Sequence, residues 1–354
     1  MRDDLPIFGV CGRSGAGKTT LIEALVPSLL SHNLSVAVAK HWAHGLDVDH
    51  PGKDSDRLFR AGADVFLEGP GQGFARIHPS GNAGRPAGLE ELAHRYDLVL
   101  VEGGERVDQP KVWLLAGDET EPPTGARNVL VSLPRDADRL KETRRILRDW
   151  LFRTWMKTPV YGCVLIGGRS SRMGKPKHLL RSDGRTWVEC AVAALSRVAD
   201  RVAVVGAGEV PDALPSITRL PDAPDAEGPM AGILAAMRWA PWVSWLVTAC
   251  DLPGLSTEAL EWLLATRAPG VWAAVPCLPG APGVEPLLAH YDFRARAIFE
   301  HHAADGRFSP SLVAEHPKVV TFPPPAHLFS AWDNVNTPDD LAPDRPENES
   351  DGYH

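Results

Sequence analysis

Twice in this chain a short apolar run ends in a glycine-rich, cationic loop and then gives way to a helix-like segment. Parallel strands need a long crossover, usually a helix, so this order of elements is the opening unit of an open parallel sheet covered by helices. The first series of strand candidates is Pro6-Ile7-Phe8-Gly9-Val10, Ser35-Val36-Ala37-Val38-Ala39, Asp97-Leu98-Val99-Leu100-Val101 and Asn128-Val129-Leu130-Val131. The second is Val160-Tyr161-Gly162-Cys163-Val164-Leu165-Ile166, Arg201-Val202-Ala203-Val204-Val205, Ser244-Trp245-Leu246-Val247-Thr248-Ala249 and Val271-Trp272-Ala273-Ala274-Val275. The expected class is α/β, with two doubly wound, mostly parallel sheets.

A length of 354 residues agrees with two domains, because single cores rarely grow past about 250–300 residues. Between the two series, residues 135–156 carry Leu140, Ile146, Leu147, Trp150, Leu151 and Trp155 at roughly helical spacing. Lys157-Thr158-Pro159 breaks that helix, since proline lacks the backbone donor and pushes its predecessor out of helical geometry. The expected domains are residues 1–157 and 158–342, followed by a polar, proline-rich tail over 343–354 that is expected to be disordered. The net charge of -8 gives no long-range attraction to nucleic acid or anionic lipid, which leaves small anionic ligands as the expected partners. Five scattered cysteines without a C-x-x-C pair read as reduced thiols, and no apolar run approaches the roughly 18 residues of a membrane span. The expected setting is cytoplasmic, with neither nucleic acid nor membrane as partner.

Gly12-Arg13-Ser14-Gly15-Ala16-Gly17-Lys18-Thr19 fits the phosphate-binding pattern G-x-x-x-x-G-K-S/T in full, between a strand and an amphipathic run beginning at Thr20. Glycines let backbone N–H groups curl around phosphates, Lys18 reaches the outer phosphates, and the Thr19 hydroxyl ligates Mg²⁺ at the helix start. Gly12, Gly15, Gly17, Lys18, Thr19 and Thr20 are therefore the candidate nucleotide-binding residues. Glu102, closing the run Leu98-Val99-Leu100-Val101, is the candidate acid that holds the metal through water. The segment around Lys40-His41-Trp42-Ala43-His44 is placed to approach the outer phosphate or metal. Its histidines His41, His44 and His50 lack the cysteine pair or H-E-x-x-H frame of a zinc site. No N-K-x-D motif follows a strand, so base choice has no motif in this half.

The second loop, Leu165-Ile166-Gly167-Gly168-Arg169-Ser170-Ser171-Arg172-Met173-Gly174-Lys175-Pro176-Lys177, lacks the G-K-T ending and is not a second phosphate loop of the first type. Arg172, Lys175 and Lys177 together suit a triphosphate whose α-phosphorus is attacked. Asp251, after Cys250 at the end of a strand, is the candidate Mg²⁺ ligand, because ligands of such sheets lie at the carboxyl ends of the strands. A helix cap for the segment from Ser256 is its alternative role. Asp222 can accept from a base or sugar, while Asn334 and Asn336 exceed what a cap at Thr337 requires.

These motifs carry two resemblances. Residues 5–150 resemble the molybdopterin-guanine dinucleotide biosynthesis adapter (B protein) family in Lys18-Thr19, Lys40-His41, Pro51-Gly52-Lys53-Asp54-Ser55, Ala61-Gly62-Ala63 and Val101-Glu102-Gly103. That family implies GTP binding and assistance to a guanylyltransferase. It usually continues Glu-Gly with Phe-Lys, where this chain has Gly104-Glu105-Arg106. Residues 158–342 resemble the molybdenum cofactor guanylyltransferase (A protein) family in the L-x-G-G-R-S-S-R-M-G loop with Lys177, the D…G-P-x-A-G stretch from Asp222 to Gly232, Cys250-Asp251-Leu252-Pro253, and N-x-N-T-P-x-D-L from Asn334 to Leu341.

The resemblance implies a P-loop NTPase-like domain followed by a Rossmann-like nucleotidyltransferase. By it, Leu165, Ile166, Gly167, Gly168 and Lys177 contact GTP, Asp222 the nucleoside and Asp251 the Mg²⁺, while Asn334 and Asn336 lie near the pterin side. Arg172, Lys177 and Asp251 are the catalytic candidates, with Asp251, Thr19 and Glu102 as metal ligands. The implied reaction is transfer of GMP from GTP to Mo-molybdopterin with release of pyrophosphate. Cytidylyl or sugar-phosphate transfer and a GTP-switched cofactor carrier are the alternatives; weak GTP hydrolysis in the N-terminal half, homo-oligomers, and contacts with other molybdenum cofactor proteins and apo-molybdoenzymes stay open. Ile166 replaces the loop's usual alanine, and Gly206 stands where some relatives carry a polar residue, which implies altered affinity.

Overall fold

The computed structural model describes residues 5–40, 52, 56, 60, 65–69, 72–76, 88–104, 108–117, 119–167, 176–182 and 184–335. Gly168, Arg172, Lys175, Asn336, Thr337, His41, His44, His50 and the tail over 343–354 therefore lie outside the described residues, as does most of the stretch over 51–63. The chain divides into two compact units, Met1–Thr154 and Trp155–His354.

In the first unit β1 (Ile7–Gly12) leads through the glycine loop into α1 (Lys18–Ser31), followed by β2 (Val36–Lys40), a hairpin of β3 (Val65–Gly69) and β4 (Gln72–Arg76), α2 (Leu89–Arg95), β5 (Leu98–Glu102), β6 (Lys111–Leu114), β7 (Val129–Leu133) and α3 (Arg139–Met156). The five-stranded sheet has the order β2-β5-β1-β6-β7 and is parallel throughout. Phe8, Val10, Leu98, Leu100, Val112 and Leu114 bury one face beneath Leu21 and Leu25 of α1 and Leu147 and Leu151 of α3. Ile7, Val99 and Val101 bury the other against Leu89 and Ala93 of α2. Strands covered on both faces read as continuous apolar runs, which is why β1 and β5 were legible.

The sequence reading offers no strand at Lys111–Leu114, yet β6 pairs directly with β1. It begins with a lysine, which periodicity assigns to solvent. The Lys111 side chain is instead fully buried, and its ammonium donates to the Gly104 carbonyl at 3.2 Å.

The second unit contains β8 (Val160–Leu165), β9 (Arg181–Ser182), β10 (Arg185–Thr186), α4 (Trp187–Leu195), β11 (Arg201–Val205), β12 (Thr218–Leu220), α5 (Gly228–Trp239), β13 (Ser244–Ala249), α6 (Thr257–Ala265), β14 (Ala273–Ala274), β15 (Leu288–Tyr291), α7 (Arg296–Ala304) and β16 (Val319–Val320). Seven strands form the sheet β12-β11-β8-β13-β15-β14-β16. β8 pairs in parallel with β11 on one side and β13 on the other, so the chain passes outward from β8 to β11 and β12 and then returns to β13 on the opposite side of β8. That reversal is the topological switch point at which open α/β sheets bind ligands. β15 runs antiparallel to β13 and was not among the strand candidates; with four residues, one of them His290, it gives no alternating pattern. α4 starts at a capping box in which the Thr186 N–H donates to Glu189 Oε2 and the Glu189 N–H donates to Thr186 Oγ1.

The first residues of the second unit belong to the last turn of α3 and its exit. Trp155 is 3% exposed, with the Arg294 guanidinium 4.3 Å above its ring. Arg267, itself buried, donates to the carbonyls of Trp155 at 3.1 Å and Thr158 at 2.8 Å. The boundary expected after residue 157 thus lies three residues beyond the division between Thr154 and Trp155.

His290 sits in the middle of this sheet, opposite Leu246 and Ala274, and neither ring nitrogen has a hydrogen-bond partner among the described residues. Burial pushes its imidazole from 6.5 down to about 3, and nearby Arg267 acts in the same direction. The unfolded ring takes up a proton near 6.5 and the folded ring only near 3, so the second unit loses stability as pH falls through that window. His290→Leu is expected to flatten this acid limb by on the order of 2 kcal/mol between pH 6 and 4, measured by urea unfolding at several pH values.

Candidate functional site

Both glycine loops open at the carboxyl ends of parallel strands, and the two sites are built separately, one in each unit. In the first, Gly12 (φ 146°), Gly15 (φ 76°) and Gly17 (φ 92°) hold backbone angles that L side chains rarely adopt. Gly12 has a second requirement: a Cβ there would stand 2.5 Å from the Leu114 carbonyl oxygen. Lys18 and Thr19 open α1, so their side chains and the free N–H groups of the first turn share one place. The Lys18 ammonium donates to the carbonyls of Gly12 at 2.9 Å and Arg13 at 2.8 Å, across its own loop. The Thr19 hydroxyl donates to Glu102 Oε1 at 2.9 Å, and the Lys40 ammonium lies 3.2 Å from the same oxygen. Glu102 is 8% exposed, so it is no solvated strand end. The two metal candidates of this half therefore touch one another. Thr20, also in the first turn of α1, is exposed.

The second site lies at the switch point. Leu165 closes β8 and Asp251 follows β13; the Cys250 N–H donates to the Leu165 carbonyl at 3.2 Å, which ties the two strand ends together. The Lys177 ammonium donates to Asp251 Oδ2 at 2.8 Å, with both side chains about one-fifth exposed, 19% and 20%. The helix after this strand is capped by Ser256, which accepts from the Ala259 N–H at 3.1 Å. The alternative role of Asp251 as that cap is thereby removed. The neighbouring Cys250 thiol is pushed up to about 12 by burial and by the adjacent Asp251 charge, which leaves it neutral beside the carboxylate.

Asp222 lies beyond β12 on the same edge, with Oδ1 3.4 Å from the Cβ position of Gly232. Burial of part of its carboxyl raises its pKa, and it has no hydrogen-bond partner among the described residues. Asn334 is exposed, and the next residue, Val335, donates its N–H to the Asp251 carbonyl at 3.1 Å. Lys177, Asp251 and Asn334 are thus close in space, Asp222 lies on the same edge, and Arg172, Gly168 and Asn336 fall outside the described residues.

Residues 162–319 match the MobA-like NTP transferase domain family, and residues 7–133 match the family of molybdopterin guanine dinucleotide synthesis protein B. The first part of the chain is 36% identical over 127 residues to the molybdopterin-guanine dinucleotide biosynthesis adapter protein of Haemophilus influenzae, a match covering 34% of this chain and 70% of that protein. A further segment is 30% identical over 140 residues to the probable molybdenum cofactor guanylyltransferase of Bacillus cereus, covering 38% of this chain and 69% of that protein. The chain belongs to both families. It is also 30% identical over 188 residues to the molybdenum cofactor biosynthesis bifunctional protein of Synechocystis, covering 52% of this chain and 53% of that one. That match spans about half the length of the bifunctional relative. The expected fusion of an adapter with a guanylyltransferase holds, and the C-terminal unit is a nucleotidyltransferase.

The sequence did not reveal one residue of the adapter site, Arg139, or one contact of the guanylyltransferase site, that between Ile166 and Gly206. Arg139, the first residue of α3, donates to the carbonyls of Ala16 (2.7 Å), Leu133 (3.1 Å), Pro134 (2.9 Å) and Leu115, and so ties the phosphate loop to the ends of β6 and β7. It lies 123 residues from Ala16, and no local motif announces such a strap. Gly206 and Ile166, both named from the sequence, meet in space. Gly206 has φ 118°, and a Cβ on it would fall 1.8 Å from the Ile166 carbonyl oxygen. The two departures from the guanylyltransferase pattern are therefore a single contact, in which the Ile166 carbonyl occupies the place of a side chain.

Replacing Arg139 with Met is expected to weaken nucleotide binding by the adapter unit about tenfold, read by equilibrium titration with a fluorescent nucleotide, because four carbonyls lose one donor group. Gly206→Ser is expected to raise the KM for GTP with a smaller change in kcat, because the β8 end must shift to admit the side chain.

Proposed function

We propose that the C-terminal unit transfers GMP from GTP to Mo-molybdopterin, assisted by an N-terminal unit that binds GTP. A terminal phosphate oxygen of the pterin attacks the α-phosphorus of GTP; the new O–P bond forms, the bond to the β-phosphate bridge oxygen breaks, and pyrophosphate leaves. The observation that carries the reading is the Lys177–Asp251 pair at the switch point between β8 and β13, a cation and a carboxylate where a triphosphate and its metal would lie. Lys177 turns from Asp251 to the phosphates and stabilises the charge that builds on them, with Arg172 in the same loop as its companion. Asp222 accepts from the nucleoside, and Asn334 orients the pterin side.

Asp251 suits Mg²⁺ in donor chemistry: it is a hard oxygen ligand facing the crevice, and such ions are usually held by one or two carboxylates with substrate phosphates and water. Bound there, Mg²⁺ supplies neutralisation of the phosphate charge. Thr19 and Glu102 suit it equally in the adapter unit. Among the described residues no helix is long and apolar enough to cross a membrane, and all five cysteines are free. Free thiols fit a reducing, cytoplasmic setting, and other molybdenum cofactor proteins and apo-molybdoenzymes are the partners that the proposed reaction calls for.

The test is product identification with GTP, CTP and Mo-molybdopterin. Asp251→Asn is expected to lower guanylyl transfer by about a hundredfold or more, and Lys18→Ala is expected to leave transfer by the C-terminal unit measurable. Undiminished transfer by the Asp251 variant, or preference for CTP, overturns the reading.

A further inference from the structure

Lys40 belongs to no part of the phosphate-loop motif, yet it is held at the centre of the adapter site. It is the last residue of β2, and the parallel register places it opposite Glu102, the last residue of β5. A single oxygen, Glu102 Oε1, accepts from the Thr19 hydroxyl at 2.9 Å and meets the Lys40 ammonium at 3.2 Å. The Glu102 side chain is 10% exposed and that of Lys40 46%. A carboxylate buried to this degree needs a counter-charge at all times. The hydroxyl and the carboxylate are also the two groups proposed above to hold Mg²⁺, and the inference rests on that reading. A divalent ion and the Lys40 ammonium would then serve the same oxygen, and their like charges exclude one another.

We propose that Lys40 is a nucleotide-site residue that holds the metal's place on Glu102 and passes to the terminal phosphate when Mg²⁺ enters with the nucleotide. A lysine suits this exchange, being a compact charge on a flexible four-carbon stem with three rotatable donors. The Lys40 side chain is half exposed, whereas that of Glu102 is buried. Two consequences follow. The site refuses free divalent metal and accepts it with phosphate, so nucleotide and metal bind as one unit. The terminal phosphate gains a second cation beside Lys18, so that Lys40 favours a triphosphate over a diphosphate.

The experiment uses the full chain carrying Asp251→Asn, so that only the adapter site reports on metal, with Mn²⁺ as the probe followed by electron paramagnetic resonance. Without nucleotide, adding Lys40→Met is expected to tighten Mn²⁺ binding about tenfold, while Lys40→Arg, which keeps the charge, is expected to match the parent. With nucleotide, Lys40→Met is expected to weaken GTP binding about tenfold and GDP binding less. Equal Mn²⁺ affinity of Lys40→Met and its parent without nucleotide overturns the placeholder role, and unchanged GTP affinity overturns the phosphate role. Glu102→Gln separates the two readings. If Mn²⁺ binding in the presence of GTP survives that change, the metal reading fails and takes this inference with it. If it is lost while Lys40→Met has no effect, the inference alone fails.

Discussion

Parallel pairing is the constraint on which the rest of this protein depends. Because β1 lies in parallel between β5 and β6, and β8 in parallel between β11 and β13, the carboxyl ends of those strands meet on one edge of each sheet. The loops that leave that edge must carry the chemistry, since the strands themselves are buried on both faces. The crossovers supply helices whose first turns present unpaired N–H groups to the same edge. One backbone arrangement therefore yields a phosphate loop with an acid beside it in one unit, and a cationic loop with an acid beside it in the other.

The two sites share an electrostatic solution. In each, a lysine lies against the acid proposed above as a metal ligand: Lys40 on Glu102 and Lys177 on Asp251. The details differ with the neighbours. Glu102 is buried and shares its oxygen with Thr19, whereas Asp251 and its partner Lys177 are each about one-fifth exposed. Such pairs hold a site ready without leaving a bare negative charge in a low-dielectric place. On the function proposed above, metal and nucleotide replace an existing interaction instead of filling a vacuum.

Some of the fold could be read before any coordinates. β1, β5, β8, β11 and β13 were legible because burial on both faces demands unbroken apolar runs, and the loops after β1 and β8 were legible because glycine and lysine at fixed spacing have few other uses. β6 and β15 were not, since Lys111 and His290 are polar residues that local patterning assigns to solvent. Their burial is decided by neighbouring strands and by partners distant in the chain. Arg139 was missed for the same reason: its four carbonyl partners come from three separate segments of the first unit.

The sequence by itself determined the class of each unit, the order of the two, and the glycines and cations of the two loops, because those depend on local backbone freedom and side-chain charge. Tertiary structure alone decided what each charge rests against. Lys40 and Glu102 belong to strands far apart in the chain, and register alone makes them neighbours. Ile166 and Gly206 are two unrelated departures in the sequence and one contact in space. Distances between strand ends follow from pairing and packing, which no local stretch of chain encodes.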